Sequence, residues 1–178
     1  MSEAFRGEFS QKVDGKARVS IPAPFRRVIE AGDPGASDSA RAKFVIVYGG
    51  GSGRKFLECF TVLGMAQLES RIARMQSGSP ARRYMEHNLI TMSLTAEIDE
   101  DGRIVLPPRA REKIALTPDL MRDGVDCVFA GALDKFHIWR RDTYDEDLAH
   151  LAEPDPAFLA EGQDMLSLLP DAHDHPQA

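Results

Sequence analysis

Two short stretches of the chain place an aspartate and an arginine four residues apart, followed by aliphatic residues at alternate positions and a proline. They are Asp14–Pro22 and Asp99–Pro107, separated by 85 residues. An arginine can donate two hydrogen bonds to O6 and N7 of a guanine, and a nearby lysine can neutralise a phosphate. The aspartate could accept hydrogen bonds from turn amides or hold the arginine in one rotamer, which would reduce the entropy lost on binding. These residue types at an exposed turn therefore predict contact with DNA.

The two copies differ in the charge around the arginine. Lysines accompany the arginine of the first copy, whereas acidic residues precede that of the second. We therefore expect the first copy to make most of the DNA contact. The predicted DNA-binding residues are Arg18, Lys16, Lys12, Asp14 and Arg103, with Arg26 and Arg27 on flanking phosphates from a helix start near the first turn. The alternative is that the Asp–Arg pairs only close two hairpins as ion pairs, and for the second copy this is as plausible as DNA contact.

The match between the two copies extends beyond the motif, because Arg26 aligns with Arg111 and Val13 with Ile98 at the same separation. Self-similarity at a fixed distance indicates two copies of one supersecondary unit. Each copy spans about 50 residues, which is small for an independent hydrophobic core. We therefore expect an α+β, β-rich fold in which both halves form one interleaved, barrel-like β unit.

The pattern of apolar and turn-forming residues predicts similar elements in each half. A strand, the motif turn, a returning strand and a short helix are followed by two more strands. In the first half these are residues 5–13, 18–21, 25–29, 44–48 and 55–61, and in the second the helix is 107–114 and the last strands are 126–130 and 135–139. A helical connector breaks at 77–79 and resumes to about Leu89, and one more helix is expected over 143–152.

These elements predict four segments along the chain. They are a first repeat over 5–61, a helical connector over 62–90, a second repeat with its C-terminal helix over 91–152, and an acidic, loosely ordered tail over 153–178. The tail is assigned on its composition, since it contains four prolines and a run of aspartate and histidine residues.

Charge is distributed unevenly along the 178 residues. The net charge is −6, yet from Asp142 onward there are ten acidic residues and no lysine or arginine. The preceding part therefore has 22 basic and 18 acidic side chains. A mildly basic body with an acidic tail is typical of proteins that bind polyanions, although the tail could also serve solubility alone.

Composition narrows the class of protein further. A hydrophobic content of 43% supports a folded core, and no stretch reaches the ~18 apolar residues of a membrane span. The first residues contain no apolar signal-peptide region, so we expect a cytoplasmic protein. Cys59 and Cys127 lie in dissimilar contexts, which favours two reduced thiols over a disulfide. We expect no membrane partner, no small-molecule substrate and no cofactor.

The other reactive residue types do not form a recognisable site. The glycines of 49–53 precede a predicted strand, whereas a phosphate-binding loop needs Gly-Lys-Ser/Thr at the start of a helix. His173 and His175 have no supporting ligands, and the cysteines and remaining histidines lack metal-binding spacing. No Ser-His-Asp or Cys-His arrangement is evident, so we do not expect an enzyme. A nucleotide-binding enzyme that uses loop 49–53 is the least favoured alternative.

The order Phe5-Arg6-Gly7, then the Asp14–Pro22 motif, then its Asp99–Pro107 copy resembles the MraZ family of transcriptional regulators, in the SpoVT/AbrB-like superfamily. The likeness covers about residues 5–150, including the connector and the strand at 135–139. It implies tandem swapped-hairpin repeats in one pseudo-symmetric barrel unit, assembled into a ring-shaped homo-oligomer on the nucleoid. Such a ring binds spaced direct repeats in promoter DNA and represses its own division and cell-wall gene operon. The resemblance also implies that the two motif arginines contact the DNA.

One departure from the family pattern affects the loops. The family usually has glycine immediately before the motif arginine, and this chain has Gly102 in one copy but Ala17 in the other. If that position needs a positive φ, alanine costs on the order of 1 kcal/mol there, and the two loops could differ in shape. The alternative function is an AbrB-type interaction module that neutralises a toxin. Two repeats with a long connector argue against it, since such antitoxins resemble single repeats.

Overall fold

The computed structural model describes residues 4–37, 40–151, 155–157 and 159–170, and it divides into two compact units, Met1–Tyr144 and Asp145–Ala178. The fold is mixed α+β with a mostly antiparallel sheet, as the sequence predicts for the fold class. The strands are β1 (Glu8–Val13), β2 (Arg18–Ser20), β3 (Lys43–Val47), β4 (Phe56–Thr61), β5 (Ser93–Glu97), β6 (Arg103–Val105), β7 (Val125–Ala132) and β8 (Lys135–Arg140).

Six helices lie between and after these strands in the described part of the chain. They are α1 (Ala23–Ala31), α2 (Val62–Ala73), α3 (Pro80–Met85), α4 (Pro108–Lys113), α5 (Pro118–Arg122) and α6 (Arg141–Leu151). A π-helical turn, Glu86–Thr91, continues α3, and a 3₁₀ turn, Met165–Leu168, lies in the second unit. The connector begins and breaks at side-chain caps, because Thr61 Oγ1 accepts from the Gly64 amide at 3.0 Å and Ser79 Oγ from the Arg82 amide at 3.2 Å.

Strands of one repeat pair with strands of the other repeat, so the two repeats are exchanged. Six of them form one sheet in the order β1-β7-β8-β4-β3-β5, and β2 and β6 form a separate antiparallel ladder. The first strand of each repeat thus pairs with the third strand of the other, β1 with β7 and β5 with β3. Among the described strands β1 and β5 are the outer edges of an open sheet, so the expected barrel closure is not observed.

An approximate two-fold relation connects the repeats. Val19 and Ile104 are each the middle residue of a three-residue strand and face each other in the β2·β6 ladder. Glu58 and His137 are each the third residue of a six-residue strand and face each other where β4 pairs with β8. Both pairs join equivalent positions of the two repeats, so the pseudo-two-fold axis passes near both.

The hydrophobic core that packs against the six-stranded sheet contains aromatic residues from both repeats. Phe136 is fully buried and lies 5.0 to 6.0 Å, between ring centroids, from four rings, those of Phe5, Phe25, Phe44 and Phe129. Tilted and stacked contacts of this kind add to the energy of apolar burial. A core shared in this way agrees with the argument that one repeat alone is too small to bury its apolar side chains.

The structure corrects several sequence predictions. The first strand begins at Glu8 rather than at Phe5, because Gly7 takes a φ of +94° and Phe5 forms an isolated bridge with Leu133. The first two strands follow one another through a tight turn but form their ladders with β7 and β6 instead of with each other. Helix α5 was not expected from the sequence, although Thr117 caps its first turn and Pro118 opens it.

Candidate nucleic-acid interface

The turn Asp14–Arg18, hereafter the first tip, is organised by its aspartate. Asp14 Oδ1 accepts hydrogen bonds from the amides of Lys16 and Arg18, both at 2.9 Å, and Oδ2 accepts from Arg18 Nε at 2.8 Å. The backbone closes the turn through Asp14 N to Arg18 O at 3.0 Å and Ala17 N to Asp14 O at 2.8 Å. One carboxylate therefore fixes both the shape of the turn and the rotamer of its arginine.

The turn Asp99–Arg103, hereafter the second tip, repeats this backbone arrangement. Asp99 Oδ1 accepts from the amides of Asp101 at 3.0 Å and Arg103 at 2.8 Å. Asp99 N donates to Arg103 O at 2.8 Å, and Gly102 N donates to Asp99 O at 3.0 Å. The residue before each arginine is left-handed, with φ +61° at Ala17 and +75° at Gly102. The two loops therefore share one backbone shape despite the alanine.

The β2·β6 ladder holds the tips in a fixed relation to each other. Beyond the paired strands, Ile21 N donates to Gly102 O at 2.9 Å and Leu106 N donates to Ala17 O at 2.8 Å. Each tip is thus anchored by the strand that leaves the other tip. Since Ala17 and Ile21 are four residues apart along an extended strand, the tips lie roughly 13 Å apart.

The two arginines differ in which nitrogens are occupied. Arg18 uses Nε for Asp14, and within the described residues no hydrogen bond reaches its two terminal Nη groups. Arg103 instead donates from Nη2 to Asp101 Oδ2 at 2.5 Å, while its Nε lies 3.6 Å from Asp99 Oδ2, beyond hydrogen-bond distance. The two terminal nitrogens that can donate to a guanine are both without a hydrogen-bond partner among the described residues in Arg18, whereas one of the two is already bonded in Arg103.

Hydrogen bonding lowers the pKa of both tip aspartates. At Asp14 the largest cause is the hydrogen bond from the Arg18 amide, followed among the favourable causes by the Arg18 guanidinium and the Lys16 amide. At Asp99 the Arg103 amide is the largest cause, followed among them by the Asp101 amide and nearby positive charge. Both carboxylates are therefore ionised over a wider acid range than an ordinary aspartate, which preserves the tips as built.

The remaining predicted basic residues do not all lie at the first tip. Lys16 is exposed on the first tip, and Lys12 nearby lies 3.8 Å from Asp126, both side chains being more than half exposed. Arg26 was expected near the first turn, but its Nη1 lies where a Cβ on Gly102 would be, at 1.6 Å from that position. Arg26 therefore packs against the second tip. Arg27 is exposed on the same helix, α1.

Helix α5 packs against the first tip. This helix was not predicted from the sequence. A Cβ built on Gly15 would lie 3.6 Å from the Met121 carbonyl oxygen, and the side chain of Lys12 crosses Gly124 just beyond the helix. Met121 is itself 2% exposed, so this contact is anchored in the core. The Thr-Pro pair that opens α5 was the available sequence signal.

A second group of charged residues surrounds Glu58 on the opposite face of the sheet from the aromatic core. Glu58 Oε2 lies 2.8 Å from Arg54 Nη2, 3.4 Å from His137 Nε2 and 3.5 Å from Lys135 Nζ. Burial opposes the ionisation of Glu58, but His137, Arg54 and Lys135 outweigh it and lower the pKa to about 2. This cluster joins β4 to β8 across the pseudo-two-fold axis, and its residue types fit a buried ion pair better than a catalytic site.

The described residues give no support to a metal site or a phosphate-binding loop. In the part of the chain that the structure describes, no three His, Cys, Asp or Glu side chains are arranged to bind a metal ion. His173 and His175 lie outside the described residues. Gly49–Gly53 connects β3 to β4 and is followed by a strand, as expected, and not by a helix. Within the described residues no helix has the length and apolar character needed to cross a bilayer.

Fold and site together define a two-repeat α+β protein that presents two arginine-bearing turns of one shape from an exchanged β scaffold. A family model described as "MraZ protein, putative antitoxin-like" matches residues 90–160. A protein named transcriptional regulator MraZ from Cereibacter sphaeroides is 57% identical over 95% of this chain and 97% of its own length. Proteins of the same name from Ruegeria pomeroyi and Parvibaculum lavamentivorans are 42% and 32% identical, over 86% and 79% of this chain and 87% and 78% of their own lengths. The chain belongs to the MraZ family.

Proposed function

We propose that this protein is a transcriptional regulator that binds double-stranded DNA sequence-specifically, without catalysis, and that the first tip makes the principal contact. The observation that carries the proposal is the geometry of Arg18. Its Nε is held by Asp14 at 2.8 Å, within the described residues no hydrogen bond reaches its terminal nitrogens, and its side chain is 40% exposed. The names of the relatives support the regulatory role.

The fixed guanidinium suits recognition of guanine. An arginine held at Nε presents its two Nη groups end-on, which matches the O6 and N7 acceptors in the major groove. Because Asp14 already restricts the rotamer, less side-chain entropy is lost on binding. The exposed ammonium of Lys16, two residues away, would neutralise a phosphate beside the contacted base.

A single tip offers few positive charges, so binding by one protomer should be weak. We propose that the exchanged repeats form the AbrB-type swapped-hairpin unit, and that copies of it assemble into a ring. A ring that presents identical tips to direct repeats at matching intervals would raise the affinity through effective concentration. The proposed target is promoter DNA upstream of the protein's own division and cell-wall operon, with repression as the outcome.

The test is a mobility-shift titration on the DNA upstream of the gene, at several salt concentrations. Arg18→Ala should weaken binding by about 5- to 150-fold per engaged tip, which corresponds to the ~1–3 kcal/mol of one arginine–guanine contact. Arg103→Ala should cause a smaller loss. Arg71→Ala, an exposed arginine on α2, is the matched control and should bind like the wild type. Equal affinity of wild type and Arg18→Ala would refute the assignment.

The name of the matching family model includes the words "antitoxin-like", which favours one second candidate, an antitoxin-like interaction module. In that case the chain would capture a small basic protein instead of, or in addition to, DNA. Affinity purification of the tagged chain from its own organism distinguishes the two functions. A stoichiometric protein partner, together with no shift of the upstream DNA at low salt, would favour the module over the regulator.

A further inference from the structure

The third residue of each tip is the point at which the two tips differ most in chemistry. Lys16 and Asp101 are separated by the same 85 residues as the motifs, and the amide of each donates to Oδ1 of the tip aspartate. Their backbones are therefore equivalent, while their side chains have opposite charge. The difference cannot be attributed to a change in loop shape.

At the second tip the side chain of Asp101 turns back onto the arginine. Its Oδ2 accepts from Arg103 Nη2 at 2.5 Å, and the Asp101 side chain is 64% exposed. The carboxylate thereby takes the place that a guanine acceptor would have on that nitrogen. With Asp99 and Glu100 in the same five residues, the second tip bears three carboxylates and one guanidinium, which repels phosphate.

We infer that Asp101 is a specificity-determining residue that blocks the second tip, so that each protomer reads DNA through the first tip alone. This inference rests on the proposed function. It has a consequence for stoichiometry, because the number of base-reading contacts equals the number of protomers on the DNA instead of twice that number. One scaffold thus presents a reading tip and a closed tip roughly 13 Å apart.

If the block resides in Asp101, replacing that residue by the one found at the equivalent position should open the tip. Asp101→Lys keeps the backbone hydrogen bonds, which use the Asp101 amide and not its side chain. It frees Arg103 Nη2 and supplies the lysine that Lys16 supplies at the first tip. The matched control is Glu69→Lys, which makes the same change of charge at an exposed position on α2.

The experiment measures the affinity of the full-length protein for the upstream DNA, with its salt dependence. Asp101→Lys should bind at least about fivefold more tightly than Glu69→Lys, the lower value expected for one added arginine–guanine contact. Its log–log salt slope should steepen by about 0.9 for each additional phosphate contacted. Adding Arg103→Ala to Asp101→Lys should remove the part of this gain that comes from the arginine–guanine contact and leave only the salt-dependent part contributed by the new lysine. Arg103→Ala in the wild type should cost far less than Arg18→Ala.

Two results would overturn the inference while leaving the proposed function intact. One is equal affinity of Asp101→Lys and Glu69→Lys, and the other is a loss on Arg103→Ala in the wild type as large as the loss on Arg18→Ala. Failure of the wild type itself to bind the upstream DNA at low salt would instead refute the proposed function. A variant that fails to fold is recognised by its circular dichroism, and Asp101→Asn then serves as a milder way to release Arg103.

Discussion

Replacing Gly102 by alanine tests whether the two tips tolerate the same residue. Gly102 has a φ of +75°, and the position of an added Cβ lies 1.6 Å from Arg26 Nη1. The left-handed backbone costs an alanine about 1–2 kcal/mol, and the reduced freedom of the unfolded chain offsets about 0.4–1 kcal/mol of that. The backbone part of the destabilisation is therefore about 1 kcal/mol, and displacement of the Arg26 side chain adds to it.

The reciprocal change, Ala17→Gly, is the matched control. It relieves a similar backbone strain at φ +61°, but it increases the freedom of the unfolded chain and removes a methyl group that is 1% exposed. Burial of one such group contributes about 0.8 kcal/mol, so the net effect on the free energy of unfolding should be close to zero. Gly102→Ala should lower the Tm by about 2–4 °C or more, and Ala17→Gly should change it little.

Thermal unfolding followed by circular dichroism at one fixed protein concentration measures both effects. A double variant, Gly102→Ala with Arg26→Ala, separates the steric part from the backbone part, because it removes the side chain that the new methyl group meets. Coupling between the two substitutions is expected. The reasoning fails if Gly102→Ala unfolds at the wild-type temperature, or if Ala17→Gly is destabilised to the same extent.

Three further predictions concern the rest of the chain. The pKa of Glu58 falls from 4.5 to about 2 on folding, so its ionised form stabilises the protein above pH 4.5 and this stabilisation is lost on acidification. Chemical denaturation should show that the difference in free energy of unfolding between wild type and Glu58→Gln shrinks between about pH 5 and pH 2. A difference that stays constant with pH would contradict the role of the charge. Burial raises the pKa of Cys127 to about 12 and that of Cys59 well above its ordinary value. A thiol reagent at pH 8 should therefore label neither residue in the native protein. Rapid labelling of the native protein would show instead that the thiols are accessible. Truncation after Leu151 removes six acidic and no basic residues; it should tighten binding to non-specific DNA at low salt if the tail competes with DNA, and an unchanged salt-dependent binding curve would exclude that competition.

Local chemistry made the tips predictable from the sequence. An aspartate that bonds the amides two and four residues later, followed by a left-handed residue, specifies a turn within five residues, and Asp14–Arg18 and Asp99–Arg103 both form it. The helical connector was predictable for a similar reason, because Met65 and Ile72 are buried at helical spacing.

Long-range pairing made the rest unpredictable. The pattern of apolar residues shows which segments are strands, but it does not show that β1 pairs with β7 or that β2 pairs with β6. For the same reason Arg26 was expected beside the first tip and lies beside the second, because helix α1 follows the strand anchored to Gly102. The cluster around Glu58 also depends on pairing between residues 79 positions apart. Helix α5 is five residues long and has too few apolar positions to show a helical period.

The opposition of Glu58 and His137 has a consequence for how such a chain can change over generations. In an assembly of two separate, identical single-repeat chains, a residue on the symmetry axis meets its own copy, so a glutamate would face a glutamate and a histidine a histidine. Joining both halves in one polypeptide removes that constraint, and an acid can then face a base at the same place. Covalent fusion thus permits each half to mutate independently, and on the axis it allows two different side chains to face each other.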